Sequence, residues 1–397
     1  MAVDLQPGAK PPAKPPIWND PVWRGLFFQV LVILAVLAFG AFLVNNTIVN
    51  LEKQNIASGF DFLNTTAGFS IGESLIDYEE SNTYGRAFMV GLANTLIVSF
   101  YGVIFATFLG FVIGVARLSP NWLVSKLAMV YIEVLRNIPL LLQIFFWYFA
   151  VLRPLPSPRD SIAMFDSFFL NNRGLAYPKP LPLDGFDIVI GLFVAAIIAT
   201  FFIARWAKKR QAATGQQFPT LWTAIGLIVG LPVLAFALLG LPMGFEYPVL
   251  KGFNYQGGKV VSPEFVALLL ALSLYTAAFI AENVRSGILG VSHGQTEAAS
   301  ALGLRRASTL RLVVIPQALR IIIPPLTSQY LNLTKNSSLA AAIAYPDLVL
   351  VFAGTTLMQT GQAVEIIAIT MGCYLLMSLL ISAFMNWYNS KMSLVER

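Results

Sequence analysis

The sequence predicts an all-α, polytopic membrane protein with about eight transmembrane helices. Composition carries this first: 57% of the 397 residues are hydrophobic and only 12% are charged, about half the charged share of a soluble domain. Uncharged apolar runs of some twenty residues then recur along the chain, each able to cross about 30 Å of hydrocarbon. Finally, Lys and Arg gather beside these runs, which is how orientation is written in a membrane protein. The net charge of +6 is therefore read as orientation within a lipid bilayer, not as a nucleic-acid surface. A single cysteine, Cys373, and a single histidine, His293, exclude an intrachain disulfide and a Cys/His metal cluster. No metal, cofactor or catalytic residue is expected.

Residues 1–24 are polar and proline-rich, predicting an extended tail. Gly25–Val44 is the first span, within a helix assigned to 25–45. Its length exceeds a signal-peptide core, so it is read as retained. An acidic segment, 46–86, follows. The next spans are Ala87–Ala116, Leu127–Leu152, Ile188–Ala204, Thr220–Met243, Phe265–Arg285, Leu312–Leu333 and Ile366–Trp387. Thr334–Glu365 is mixed and predicts short helices. Residues 391–397 form a closing tail.

Eight spans put both termini on one side. That side collects sixteen Lys and Arg against nine on the other, so the termini are expected in the cytoplasm. Residues 153–263, with two apolar runs between proline- and aromatic-rich loops, read as an insertion carrying a helical hairpin. It splits a domain spanning 87–390 into core pieces 87–152 and 264–390.

After the sixth span the chain reads Arg285-Ser-Gly-Ile-Leu-Gly-Val-Ser-His-Gly-Gln-Thr-Glu-Ala-Ala-Ser-Ala-Leu-Gly303, on the cytoplasmic side by parity. Gly294 to Leu302 is helix-compatible and rich in small residues. Gly287, Gly290, Gly294 and Gly303 offer turns and close backbone approach. A short helix held there, outside the bilayer, can dock in a groove on another protein.

This loop resembles a known family. Glu297-Ala298-Ala299, three residues, Gly303, nine residues and Val313-x-Ile315-Pro316 is similar to the EAA loop of type I ATP-binding-cassette importer permeases. Val313 and Ile315 depart mildly from the usual Ile-x-Leu-Pro ending. Gly91-Leu-Ala-Asn94-Thr95, Tyr131-Ile-Glu133 to Gln143, Ala278 to Ile288, Lys335-Asn336-Ser337-Ser338 and Pro316-Gln317-Ala318 with Pro324-Pro325 look like the polar amino-acid branch. Gly59–Leu63 and Leu170–Leu175 resemble its long form, which serves general L-amino-acid importers. The resemblance implies a five-helix core built from spans two, three, six, seven and eight, with the first helix and the insertion as additions. It also implies a coupling loop over 287–308 with Gly287, Gly294, Gln295, Glu297, Ala298, Ala299 and Gly303 as its residues. The implied partners are an ATPase dimer, a second homologous permease forming a heterodimer, and a periplasmic amino-acid-binding protein, at the bacterial inner membrane.

Charged and polar residues within spans are costly and suggest function. Glu133 and Arg136, three apart, share a helix face; they read either as an ion pair fixing packing or as pathway lining. Glu282 reads either as a holder of a substrate ammonium group or as a local partner of Arg285. Lys335, Asn336 and Ser337 either donate to a carboxylate or cap a helix. Asn94 and Gln143 complete the candidate pathway. Pro316, Pro324 and Pro325 predict a kink in span seven, inert or gating.

The chain has no G-x-x-x-x-G-K-[ST] sequence; Gly257-Gly258-Lys259-Val260 lacks both the leading glycine and the hydroxyl residue. ATP hydrolysis is therefore expected on a separate subunit. No paired inverted repeat of an ion-driven transporter is visible, and one His with one Cys is poor material for an enzyme.

Overall fold

The computed structural model describes residues 20–53 and 58–392. Most of the expected tails, 1–19 and 393–397, lie outside the described residues. The first helix, α1 (Pro21–Lys53), contains the first predicted span. Side chains such as Leu31, Leu34 and Leu37 are all exposed, as befits a helix solvated by lipid. An outer segment containing a short 3-10 turn (Asp61–Asn64) leads to α2 (Tyr84–Arg117), which starts at Thr83, whose hydroxyl accepts from the Arg86 amide.

The third span departs from expectation. It is a broken pair, α3 (Trp122–Asn137) and α4 (Leu140–Leu152), bent by 107°. Pro139 is the cause. It disfavours helical geometry in the residue before it, and Ile138 is extended (φ −95°, ψ 127°).

The insertion contains the expected hairpin, α5 (Phe186–Thr214) and α6 (Thr220–Leu238). The fold is predominantly helical, yet the loops flanking this hairpin form strands that the amino-acid pattern does not announce. They are β1 (Ile162–Met164), β2 (Phe168–Asn171), β3 (Gly174–Tyr177), β4 (Lys179–Pro182), β5 (Met243–Glu246), β6 (Val249–Lys251), β7 (Asn254–Gln256) and β8 (Lys259–Val261). One antiparallel sheet runs in the order β1-β2-β3-β8, and β4–β5 and β6–β7 form two further pairs. The β6–β7 turn places Gly252 at φ +67°, a position suited to a two-residue hairpin. The β3–β8 pairing (Leu175 opposite Val261) draws the two ends of the insertion together.

The central helix is α7 (Pro263–Leu289), capped by Ser262, whose hydroxyl accepts from the Phe265 amide. A short projecting helix, the knob α8 (His293–Ala301), follows. The seventh span, α9 (Arg306–Ile343), continues through Pro324 and Pro325. A turn-back segment then carries α10 (Val349–Thr360), and α11 (Ala363–Met392) closes the fold. Among the described residues, seven helices are long and apolar enough to cross a membrane, or eight with the α3–α4 pair counted as one span.

Helices of the core touch through small residues. A Cβ on Gly110 would sit 2.5 Å from Ile280 Cγ2. One on Gly114 would sit 2.7 Å from the Ala281 carbonyl oxygen. Ala106, one turn before Gly110, is fully buried, so α2 meets α7 along a small-xxx-small stripe. A second cluster around Phe62, Tyr84, Leu348, Phe352 and Ile366 seats the outer segment on α2, α10 and α11.

Gly114→Ala should cost about 1–3 kcal/mol by overpacking, whereas Gly191→Ala on α5, where a Cβ would meet nothing within 4 Å, should cost nothing. Thermal unfolding of the detergent-solubilised protein, which should show a lowered Tm only for Gly114→Ala, checks this.

Candidate functional site

The knob is built by one glycine and one alanine. At its end Gly303 adopts φ +75°, and the Leu304 amide reaches back to the Ala299 carbonyl at 3.1 Å. This is a Schellman-type stop, which favours glycine. Ala299 is 3% exposed and seats α8 on the helices above it, while Leu302 stands 82% exposed beyond it. Gly294, Gln295, Glu297 and Ala298 are also exposed. Glu297 Oε1 lies 3.0 Å from His293 Nδ1, and Gln317 Nε2 donates to Gln295 Oε1 at 3.2 Å, tying the knob to α9. A groove of about 690 Å³ runs along it, lined by His293, Thr296, Ser300 and Arg306 among others.

Gly287 does not belong to this loop. It is buried inside α7, where any Cβ would overlap Ile322 of α9. The helix simply continues past Arg285, because the backbone of the sequence Ser-Gly-Ile-Leu is held by helix packing.

Among the described residues, Glu133 and Arg136 form no ion pair. The Arg136 guanidinium instead lies 5.2 Å above the Phe279 ring of α7, a contact worth more away from water. Glu282 takes a two-pronged contact from Arg285, 2.6 Å to Nη2 and 2.9 Å to Nε. Arg136 and Arg117 add their fields to the same carboxylate. Glu282 thus sits among three cations: Arg285 on its own helix, Arg117 at the end of α2 and Arg136 in the last turn of α3.

The amide nitrogens of Asn94 and Gln143 bond backbone carbonyls, while their buried side-chain oxygens have no hydrogen-bond partner among the described residues. Asn94 Nδ2 donates to the carbonyls of Glu73 and Pro346, both at 2.9 Å. Gln143 Nε2 donates to those of Leu135 and Ile138, both at 2.9 Å, meeting carbonyls freed by the α3–α4 break. Thr95 and Gly91 share Asn94's task. The Leu348 amide donates to Thr95 Oγ1 at 2.9 Å, and a Cβ at Gly91 would come within 3.1 Å of the Asp347 carbonyl oxygen.

Lys335 is exposed at a largely apolar pocket of about 500 Å³ lined by Val349, Met371 and Leu375, with Ser338, Thr370, Tyr374 and Ser378 as its polar residues. Asn336 is half-buried, and Ser337 donates to the Thr334 carbonyl at 2.7 Å. Asp347, fully buried, and Tyr374, which interacts with it, are absent from the residues singled out by sequence. A lone acid in the apolar stretch 339–352 is the available signal.

On the opposite face a vestibule of about 650 Å³ is lined by Glu73, Glu80, Glu264 and Ser262. Ser262 donates its hydroxyl to Glu73, and Tyr148 donates to Glu264 at 2.6 Å. Burial pushes the Glu73 carboxyl above its ordinary value near 4.5; the Ser262 hydrogen bond opposes this and the nearby Glu264 charge adds to it.

The relatives of this multi-helix membrane protein are transport components. The family model of the binding-protein-dependent transport system inner membrane component matches residues 187–394, and the chain belongs to that family. It is 59% identical, over 95% of its length and 94% of the relative's, to the general L-amino acid transport system permease protein AapQ of Rhizobium johnstonii. It is 56% identical, over 95% and 96%, to the putative amino-acid ABC transporter permease protein YhdX of Escherichia coli. A third relative, the glutamate/glutamine/aspartate/asparagine transport system permease protein BztB of Rhodobacter capsulatus, is 44% identical over 95% and 96%.

The raised Glu73 pKa has a defined sign. Folding favours its protonated form, so ionisation weakens the folded state once pH exceeds about 4.3, the unfolded value. Below that pH the carboxyl is protonated in both states and the effect vanishes. Glu73→Gln should raise Tm at neutral pH, and the gain should shrink towards about pH 4; thermal unfolding across that range measures it.

Proposed function

We propose that this chain is the permease subunit of an ATP-driven, binding-protein-dependent importer of amino acids at the bacterial inner membrane. Both termini are cytoplasmic in this reading, supported by the Lys and Arg bias of the sequence. Its partners are an ATPase dimer, a periplasmic amino-acid-binding protein and a second, related permease. The names of the three relatives support the substrate class.

The observation that carries the coupling role is the knob. Residues Gly294 to Gly303 project from the bundle, seated by buried Ala299 and the Gln295–Gln317 hydrogen bond and stopped by Gly303, with Glu297, Ala298 and Leu302 exposed. Such a projection fits a groove on an ATPase. Force applied there reaches two spans, since α8 follows directly on α7 and is hydrogen-bonded to α9 through Gln295 and Gln317. The close approach of Gly287 to Ile322 makes α7 and α9 move as one body, which is what alternating access requires. A single knob per chain calls for two permeases over an ATPase dimer.

An amino acid presents an ammonium and a carboxylate. The acidic vestibule suits the first on the outer side, and exposed Lys335 with Thr370 and Tyr374 suits the second. Glu282, already neutralised by Arg285, reads as a packing pair at the cytoplasmic end of the pathway.

Glu297→Arg should remove a contact of the hot-spot kind, costing about 2 kcal/mol and lowering ATPase affinity roughly 30-fold. Gly303→Val should add about 1–2 kcal/mol of left-handed strain and misplace the knob. Co-purification of the ATPase and amino-acid uptake in vesicles test both variants. Retained ATPase binding with unchanged uptake would sink the coupling role.

A further inference from the structure

The α5–α6 hairpin is a satellite of the core. Helix α5 has one buried stripe, Val189, Ala196 and Ala207. These residues share one face at about 100° per residue. Most of the rest of its surface is exposed, with Leu192, Ala199, Thr200 and Ile203 half-buried beside the stripe. At 29 residues it is about 43 Å long, longer than the roughly 30 Å hydrocarbon layer. Its last turns therefore reach headgroup depth.

Those turns read Arg205-Trp206-Ala207-Lys208-Lys209-Arg210. No acidic residue occurs between Asp187 and Glu246. Arg205 and Lys209 each point about 160° away from Ala207, and Lys208 about 100° away. All three are exposed. Ile198 and Phe202, both exposed, lie on the same outward side, one to two turns nearer the membrane centre. The outward face of α5 is thus apolar along its length and cationic at its tip.

Aromatic rings fix the level of this tip. The Arg205 guanidinium lies 4.6 Å from the Phe201 ring centre, and that of Arg210 lies 5.4 Å from Trp206. Trp206 meets Phe218 edge-on at 5.4 Å, and Trp222 is 73% exposed at the start of α6. Tryptophan and tyrosine gather at membrane interfaces for their amphipathic rings. Arg210 is set apart: it is half-buried and donates to Gln216 Oε1 at 2.9 Å.

We propose that Arg205, Lys208 and Lys209 form a binding site for the phosphodiester headgroup of an anionic phospholipid, with an acyl chain along the outward face of α5. Charge complementarity selects an anion, and continuity of the cationic tip with the Ile198–Phe202 surface selects one that carries a hydrocarbon chain. The site lies in the inner leaflet, which rests on the orientation proposed above.

The test uses the full chain in detergent, titrated with fluorescent phosphatidylglycerol or phosphatidylcholine and read by anisotropy. The parent should prefer the anionic lipid, and each removed cation should cost about fivefold. The triple variant Arg205→Gln, Lys208→Gln, Lys209→Gln should lose the preference. A control triple on the outer strands and their turn (Arg173→Gln, Lys179→Gln, Lys259→Gln) should keep it. Excess inorganic phosphate should leave binding in place. Equal affinity for the two lipids, an unchanged triple variant, or displacement by inorganic phosphate would each overturn the site. Loss of ATPase co-purification in the triple variant with lipid preference intact would assign the patch to the ATPase instead. Side is read separately, by labelling Ala213→Cys in a Cys373→Ser background from outside sealed vesicles. Outer labelling would overturn the orientation while the lipid result stands.

Discussion

Everything in this bundle hangs on the line where α2 meets α7. Lipid tails are as apolar as leucine, so helices in a membrane gain nothing by hiding apolar surface from them. They gain by packing closely, and Gly110 and Gly114 remove the atoms that would keep the backbones apart. With α7 held against α2 on one side and, through Gly287, against α9 on another, the central helix has little freedom of its own. Its C-terminal end, and the knob that follows, inherit that constraint.

Rigid contacts alone would not place the broken elements. Two breaks, one at Pro139 and one at the Pro346–Asp347 turn, expose backbone groups where water is scarce. Gln143 answers the first by bonding the Leu135 and Ile138 carbonyls. Asn94 answers the second and also reaches the outer segment through the Glu73 carbonyl. One side chain on α2 thereby joins three separate stretches of chain.

The long spans are legible in the sequence because charge and length are local properties; Gly25–Val44 and Ala87–Ala116 need no tertiary information. The knob is legible because its glycine stop and its small residues lie within a dozen positions. What is illegible depends on distance. Glu133 and Arg136 look paired by spacing, yet Phe279, over 140 positions away, claims the guanidinium. Asn94 and Gln143 stand out by polarity, but the carbonyls they bond are exposed by two bends that only the fold shows. Asp347 escapes a linear reading because its burial is made by α2 rather than by its neighbours. The strands β1 to β8 are each three or four residues long, and β3 finds its partner β8 only after the whole hairpin has intervened.

That last pairing has an architectural consequence. The chain leaves the core after α4 and returns at α7 through almost the same point. Leu175 is opposite Val261, and Tyr148 of α4 is bonded to Glu264 of α7 at 2.6 Å. A detour that closes on itself transmits no change in its own length to the frame around it. The hairpin can lengthen, shorten or diverge in composition while the register between α4 and α7 stays the same, so this part of the molecule is free to adapt to its surroundings independently of the transport machinery.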